Sequence, residues 1–257
     1  LAKRYANHPY SEFKFPTIED LKKHFNGNIY SRLSPAALVS DEGMQVEGVK
    51  LFPFSGLNNT LTVFCKESGF WVIYKSDRDG FRNPDKNWDK KDLDAVFIGD
   101  SFTHGACADE EDTFAGLANL RGMTALNLGI GGTGPLIQYG AFREYIIELG
   151  KRPKKIVWVY FAEDIRDGAH EVNSKLLIRY LNDPQYNQKL AKNNDMKHAL
   201  VEKYFLQEYP KLLRKLHAER QKRKAIVTSR IVDEALRLKN LQDSLKSLLG
   251  NTAVQET

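Results

Sequence analysis

A serine stands where an apolar run of the chain gives way to a polar turn. Val96, Phe97 and Ile98 are adjacent apolar residues without alternation, and Gly99 ends the run two positions before Ser101. Such a run is typical of a parallel strand that is covered on both faces. A residue just past the carboxyl end of that strand lies in the crevice where open α/β sheets bind ligands. Ser101 is therefore the first candidate nucleophile.

Ester cleavage by a serine requires an activated hydroxyl, a base that takes its proton, and donors for the oxygen that becomes negative. Ser101 supplies the hydroxyl, and its own backbone N–H is a candidate donor. Asp100, next to the serine, is interpreted as an acceptor that orders the turn by binding its backbone N–H groups.

Two blocks around this serine resemble a known family. They are Gly99-Asp100-Ser101-Phe102-Thr103 and, further along the chain, Asn127-Leu128-Gly129-Ile130-Gly131-Gly132. In order and spacing they are similar to the first two blocks of the SGNH (GDSL-type) hydrolases, whose serine attacks ester carbonyls. Residues 76–84 and 105–107 are similar to a bacterial subgroup found with exported-polysaccharide functions. The resemblance covers residues 60–183.

The resemblance implies an oxyanion hole and a fold. Gly132 matches the glycine that lends a backbone N–H to the oxyanion, beside the N–H of Ser101. Each such donor is typically worth about 3 kcal/mol of transition-state stabilisation. The implied fold is a three-layer α/β/α arrangement with a parallel sheet, as in SGNH and flavodoxin-like proteins.

The third family block, Gly-x-Asn-Asp, is altered in this chain. The matching residues are Phe161-Ala162-Glu163-Asp164, so Glu163 stands where the family has an asparagine that donates to the oxyanion. An ionised carboxylate cannot donate a hydrogen bond. Either Glu163 is protonated, or it points away, or the hole works with fewer donors.

The fourth family block, an Asp-x-x-His that supplies the base, has no convincing match. Asp195 and His198 have this spacing but lie in a segment that is predicted to be helical. His104 is close to the serine and His170 to the third strand. Each is either a residue of the cleft or a surface histidine, and the surface interpretation is favoured for both. No fourth or fifth buried strand is predicted after residue 161, so we expect the chain to end before the strands and the block that complete the enzyme.

The pattern around the serine strand predicts alternating strands and helices. Residues 124–128 and 156–161 are predicted as further buried strands, and residues 135–149 as an amphipathic helix begun by a proline. A helix over residues 113–120 is predicted, with Asp112 as its N-cap. Strand, helix, strand, helix, strand is the signature of a parallel α/β sheet.

The flanking regions differ from this core. Residues 18–25 predict a short helix, residues 28–56 no firm element, and residues 61–74 a hairpin. Residues 176–181 and 196–249 are predicted to be helical. We therefore divide the chain into an N-terminal wrapping segment, 1–90, an α/β core, 91–170, and a helical extension or insertion, 171–257.

The helical extension carries two patterned surfaces. Its basic residues are interpreted as a solvent face or, alternatively, as a contact with anionic lipid or polysaccharide; they are Lys211, Arg214, Lys215, Arg220, Lys222, Arg223 and Lys224. Its leucines form a packing or self-association stripe; they are Leu236, Leu238, Leu241, Leu245 and Leu248.

Composition narrows the remaining classes of protein. The 257 residues carry a formal charge of +5 with both signs mixed, and this is typical of a solvated surface rather than a nucleic-acid-binding one. No uncharged apolar run reaches the length of a membrane span. The chain starts with Leu rather than Met, so we expect the native start to be missing, with a signal peptide or a membrane anchor as candidates for the missing part. We expect the protein to work outside the cytoplasm, with the cytoplasm as the alternative.

The two cysteines leave one pairing open. Cys65 and Cys107 are either bonded, tying the N-terminal segment to the loop after the serine, or two free thiols. No His, Cys or carboxylate spacing indicates a metal, and no cofactor is expected.

Three functions follow from these observations. The first is a serine ester hydrolase with an acyl-Ser101 intermediate, acting on a small or carbohydrate ester. The second, an O-acyltransferase of exported polysaccharide, uses the same intermediate with a sugar hydroxyl as acceptor. The third is a non-catalytic binding or scaffold protein, for which Glu163 and the missing Asp-x-x-His speak.

Overall fold

The computed structural model describes residues 9–11, 14–39, 42–46, 48–66, 69–208, and 211, 214 and 218. The helices of this part are α1 Ile18–His24, α2 Ser101–His104, α3 Phe114–Leu120, α4 Pro135–Phe142, α5 Ala162–Glu171, α6 Lys175–Asn182 and α7 Asn194–Lys203. The strands are β1 Tyr30–Ser31, β2 Met44–Val46, β3 Val49–Leu51, β4 Leu61–Val63, β5 Ile73–Lys75, β6 Asp92–Leu93, β7 Ala95–Gly99, β8 Ala125–Asn127, β9 Arg152–Pro153 and β10 Ile156–Val159. The protein is thus a mixed α/β structure.

The serine strand is the middle strand of a parallel sheet. The order is β10–β7–β8, with Val96 opposite both Leu126 and Ile156. By position in the chain this order is 2-1-3, the start of the flavodoxin-like order, and its switch point lies between β7 and β10. The three predicted strands are therefore confirmed, and Ser101 follows the strand beside the switch point.

Helices α3 and α4 connect the strands of this sheet. Helix α3 packs Ala115 and Ala118 against Ala95 and Ala125, where small side chains allow close approach of helix and sheet. Its N-cap is Thr113, whose hydroxyl accepts from the Gly116 N–H, so the assignment of the cap to Asp112 is wrong. Asp112 instead ends a short 3-10 helix, Glu110–Asp112. The helix predicted over residues 135–149 is confirmed as α4 and a π-helical turn, Arg143–Ile147.

Strand β10 is exposed, and the prediction of a buried third strand is wrong in this respect. The exposed fraction is 52% for Ile156, 37% for Val157 and 43% for Trp158. The strand lies at the edge of the sheet and pairs only with β7 among the described strands. An apolar run indicates a strand that is able to be covered on both faces, and it carries no information about whether a cover is there.

A second, smaller sheet, β1–β4–β5, belongs to the N-terminal region. Its β4–β5 hairpin confirms the hairpin prediction, and α1 packs Leu21 against Ile29 and Val63 beside it. Strands β2 and β3 form an antiparallel pair within residues 28–56, where no firm element is predicted. A disulfide joins Cys65 to Cys107, so the bonded alternative holds.

The chain divides into two compact units, residues 1–203 and 204–257. Helices α6 and α7 close the first unit and confirm the predicted helices near residues 176 and 196. In the described part of the chain, no strand follows β10 and no helix is long and apolar enough to cross a membrane. The leucine stripe of the helical extension lies outside the described residues. Of the basic residues named for that extension, only Lys211 and Arg214 are described.

Candidate active site

Ser101 is the first residue of α2 and is partly exposed at the carboxyl end of β7. The Asp100 carboxylate caps this helix: it accepts the Phe102 N–H at 2.9 Å, and at 3.2 Å it accepts the Ser101 hydroxyl. The predicted role of Asp100 as a turn-ordering acceptor is confirmed. The first N–H groups of a helix have no partner within it, and Asp100 satisfies the N–H of Phe102 from outside the helix.

The turn between β7 and α2 requires glycine. A Cβ atom on Gly99 would lie 2.3 Å from Thr103 Oγ1 and 2.7 Å from the Val159 carbonyl oxygen. Both distances are far below van der Waals contact, so a side chain there would push β10 or α2 away. Gly99 thereby holds the serine helix directly against the end of the neighbouring strand.

The loop after β8 packs directly on the serine helix. A Cβ atom on Gly129 would lie 2.2 Å from the His104 backbone nitrogen, so this glycine permits the close approach. The buried Asn127 amide donates to the Thr103 carbonyl and accepts the Gly129 N–H, both at 2.8 Å. In addition, the Ile130 N–H donates to the Gly99 carbonyl at 3.0 Å. The two blocks that resemble SGNH hydrolases are therefore joined by hydrogen bonds.

His104 is buried, and the interpretation of it as a surface histidine is wrong. It is 6% exposed, and its ring stacks on Phe64 with 4.1 Å between ring centroids. Nδ1 accepts the Gly131 N–H at 3.3 Å, and Nε2 lies 2.9 Å from the Tyr74 hydroxyl. Burial, together with the nearby charges of two arginines, holds the pKa of this imidazole well below its ordinary value. His104 is thus a neutral group that positions the loop, with both nitrogens engaged.

Gly132 is exposed at the tip of this loop, with a backbone φ of 75° that favours glycine. Arg32 donates to the adjacent Gly131 carbonyl at 2.9 Å, and the Thr133 hydroxyl donates to the Ile130 carbonyl at 2.6 Å. The neighbours of Gly132 are fixed on both sides. A backbone N–H in such a loop needs little reorganisation to bind an anion.

The end of β10 brings a third group of residues to the same edge of the sheet. Phe161 and Phe102 are both largely exposed, with ring centroids 5.2 Å apart. Asp164 accepts the Phe161 N–H at 2.9 Å, and its other carboxylate oxygen is buried with no hydrogen-bond partner in the described part of the protein. Burial raises the pKa of the Asp164 carboxyl, and the charges of Asp100 and Asp167 act in the same direction.

Glu163 occupies the second position of α5, next to Asp164. Its side chain lies outside the part of the chain that the structure describes, so its three alternatives all stay predictions. Its backbone does follow β10, the strand next to the serine strand. Of the predicted site residues, Ser101 and Gly132 thus lie on adjacent strand ends, and Glu163 lies on the third.

The base remains without a candidate among the described histidines. His170 is exposed in the last turn of α5, and His198 accepts the Asn58 N–H through Nδ1 at 3.1 Å. The described hydrogen bond of the Ser101 hydroxyl is to Asp100. Among the described residues, no group of three or more His, Cys, Asp or Glu side chains is placed to hold a metal ion.

Sequence reasoning missed two buried groups at this site. Glu171, 1% exposed, binds the N–H groups at the start of α4, and His104 binds the loop before it. The partners of Glu171 lie 34 to 37 residues away in the chain. A signal was available only in part: a proline at the start of α4 marked a helix N-terminus that needed an acceptor.

Comparisons with protein-family profiles, with curated proteins and with solved structures find no match to this chain. The class of protein that the fold and the site define is therefore an α/β protein with a serine at the switch-point edge of a parallel sheet. What the serine does has to be argued from the geometry of the site.

Proposed function

We propose that the protein is a serine-dependent ester hydrolase that forms an acyl-Ser101 intermediate. The observation that carries the proposal is the attachment of the glycine loop to the serine helix. Gly129 lies against the backbone of α2, and Ile130 is hydrogen bonded to Gly99, so the loop tip and the serine belong to one rigid edge of the sheet. A serine with preorganised backbone donors is what ester cleavage requires.

In the proposed reaction, Ser101 Oγ attacks the ester carbonyl carbon and the hydroxyl proton passes to a base. The carbonyl oxygen becomes negative and accepts from the N–H groups of Ser101 and Gly132. The intermediate then collapses: the alcohol leaves with a proton, and the acyl group stays on Ser101. Water completes hydrolysis by attacking the acyl-serine, which releases the acid and restores the hydroxyl.

The acceptor and the substrate class are part of the same proposal. A sugar hydroxyl in place of water makes the protein an O-acyltransferase of exported polysaccharide, with the same acyl-serine. We propose a carbohydrate ester as substrate because of the resemblance of residues 76–84 and 105–107 to a polysaccharide-associated subgroup. The Cys65–Cys107 disulfide supports a location outside the cytoplasm, since such bonds persist in oxidising compartments.

A non-catalytic role is the second candidate, and a specific observation favours it. The described histidines near the serine helix are engaged or exposed: His104 uses both ring nitrogens, and His170 points to solvent at the far end of α5. Without a base, Ser101 is an ordinary hydroxyl. The protein would then use the same edge of the sheet to bind a ligand without cleaving it.

The test is intact-mass spectrometry after treatment with a serine-reactive fluorophosphonate. We expect stoichiometric labelling of the wild-type chain and none of Ser101→Ala. Ser31→Ala, which removes a serine of β1 in the other sheet, is the matched control and should label like wild type. Absence of labelling in a folded wild-type protein would overturn the hydrolase proposal and leave the binding role.

A further inference from the structure

Glu171 lies at the end of α5 and is almost completely buried, with 1% of its surface exposed. Its two carboxylate oxygens accept three backbone N–H groups. Oε1 accepts from Gly134 at 2.6 Å, and Oε2 accepts from Leu136 at 2.9 Å and from Ile137 at 3.2 Å. All three donors belong to the start of α4, which follows the glycine loop of the site.

This carboxylate satisfies every N–H that the start of α4 presents. The first N–H groups of a helix have no partner within it, and Pro135 has no N–H to offer. Gly134, Leu136 and Ile137 therefore present the available donors, and Glu171 accepts all three. A negative charge there also interacts favourably with the helix dipole.

The backbones of α5 and of the start of α4 approach each other closely. A Cβ atom on Gly134 would lie 2.4 Å from the Gly168 backbone nitrogen, and one on Gly168 would lie 3.1 Å from Pro135. Two glycines thus allow α5 to lie directly on the start of α4. Among buried groups a charge-assisted hydrogen bond is strong, and an unpaired N–H is costly.

The position of this contact ties it to the serine site. Gly134 lies two residues after Gly132, the proposed oxyanion donor. The upstream side of the loop is held by His104, which accepts the Gly131 N–H, and by Arg32, which binds the Gly131 carbonyl. On the downstream side the Thr133 hydroxyl donates to the Ile130 carbonyl, the Gln138 amide donates to the Thr133 carbonyl, and Glu171 accepts the Gly134 N–H.

We propose that Glu171 is a positioning residue of the serine site, which orients the Gly132 N–H by anchoring the start of α4. This inference rests on the proposed function for its catalytic meaning, and on the hydrogen bonds alone for its structural meaning. Glu171 itself does not touch substrate. It acts through Thr133, the one residue between Gly132 and Gly134.

The environment of Glu171 makes this anchor sensitive to pH. Burial raises the pKa of its carboxyl to about 7, against the effect of the three N–H bonds, and the charge of Asp167 one turn earlier on α5 adds to the increase. From α4 the groups that face the carboxylate are backbone N–H groups. Protonation removes one acceptor oxygen, so the anchor loosens below neutral pH.

A nuclear magnetic resonance titration of the wild-type protein tests the structural part. Between about pH 5 and about pH 8 we expect the amide shifts of Gly132, Gly134, Leu136 and Ile137 to follow one ionisation, the one assigned to Glu171. In Glu171→Gln this shared transition should be lost. A Gly132 amide that does not follow Glu171 in the wild-type protein would overturn the proposal, and this measurement needs no variant to fold.

A matched control is available at another helix. Glu42 caps α6 by accepting the Ser174 hydroxyl and the N–H groups of Lys175 and Leu176. Glu42→Gln also removes a carboxylate from a helix N-terminus, but in the described part of the chain no such bond joins α6 to the glycine loop. We expect this variant to leave the Gly132 titration unchanged.

The catalytic part is read from the rate of fluorophosphonate labelling as a function of pH. We expect Glu171→Gln to label Ser101 about tenfold more slowly, because a misaligned oxyanion donor weakens the transition state. Glu171→Asp should label faster than Glu171→Gln but more slowly than wild type. Glu42→Gln should label at the wild-type rate. If wild-type protein does not label, the proposed function fails while the titration still decides the anchor. Equal labelling rates would overturn the catalytic part.

The ionisation of Glu171 also makes the free energy of unfolding depend on pH, in a direction that follows from its pKa. The fold raises the pKa of Glu171 above that of the unfolded chain, so it favours the neutral form. The stabilisation of the folded state that follows from this raised pKa is fully present below about pH 4.5 and is lost as pH rises through about 7. Denaturant titrations should therefore show the wild-type free energy of unfolding falling relative to Glu171→Gln over this range. A difference that is independent of pH would contradict the assignment.

Discussion

The two strands beside β7 are both short and mostly apolar, but their surroundings are opposite. Ala125 and Leu126 of β8 are fully buried, whereas Ile156 and Trp158 of β10 are 52% and 43% exposed. Both strands are apolar, short and parallel to β7. The difference lies in what covers them: α3 and its alanines pack on the β8 side, while the described part of the chain leaves much of β10 open.

The two sides of the proposed site differ in the same way, in burial and in hydrogen bonding. On the β8 side, Asn127, His104 and Glu171 bind the backbone of the glycine loop, and each of them is buried. On the β10 side, Phe161 is exposed and Asp164 keeps a buried oxygen without a partner among the described residues. The proposed oxyanion donors of Ser101 and Gly132 therefore lie on the buried side of the sheet, at the ends of β7 and β8, which we call the rigid half. The segment with Glu163 follows β10 and lies on the exposed side of the sheet, which we call the open half.

The largest expected effect on stability is that of removing the disulfide bond. The Cys65–Cys107 disulfide closes a chain separation of 42 residues between the second sheet and the loop after α2. Replacing both cysteines by serine should lower the free energy of unfolding by about 4 kcal/mol, chiefly by freeing the unfolded chain. Urea denaturation measures this change. Wild-type protein kept reduced is the control, and a loss below about 1 kcal/mol in both would contradict a stabilising bond.

A matched pair of truncations tests the contrast between the strands directly. Leu126→Ala in β8 should cost about 3 kcal/mol, because it opens a cavity in a closed core. Ile156→Ala in β10 removes a side chain of similar size that is already half in water, and should cost below about 1 kcal/mol. Denaturant titration of both variants measures the difference. Equal losses would mean that β10 is covered in solution.

The smallest effect concerns the bond that joins the two halves. The Trp158 indole N–H of β10 donates to the buried Gln138 amide oxygen of α4 at 2.6 Å. Trp158→Phe should lower the free energy of unfolding by about 1 kcal/mol, because the Gln138 oxygen loses its partner. Tyr160→Phe, on the same exposed edge, should change it by less than about 0.5 kcal/mol. Similar free energies of unfolding for the two variants would mean that the hydrogen bond between Trp158 and Gln138 does not stabilise the protein.

Much of the sheet is predictable because its signals are local. The apolar runs of β7, β8 and β10 and the proline at the start of α4 all act within a few residues. Asp100 beside Ser101 is also a local signal, since a carboxylate at a helix start binds the N–H groups that follow it. Elements that depend on neighbours in sequence were therefore found before the fold was known.

Other features depend on partners that are distant in the chain. His104 is buried because Tyr74, 30 residues before it, and Gly131, 27 residues after it, bind its ring. Nothing in its local sequence distinguishes this ring from a surface histidine. The burial of Glu171, whose partners are 34 to 37 residues away, is hidden from sequence in the same way.

The sequence by itself determined the three strands of the serine sheet, the hairpin of the second sheet, where the serine turn lies and which two blocks carry the proposed chemistry. The tertiary structure alone decided that β10 is exposed, that Cys65 and Cys107 are bonded and that Glu171 holds α4. The physical reason is that backbone propensity and hydrophobic period are properties of a short segment. Burial, pairing and pKa are properties of whatever the fold brings next to it.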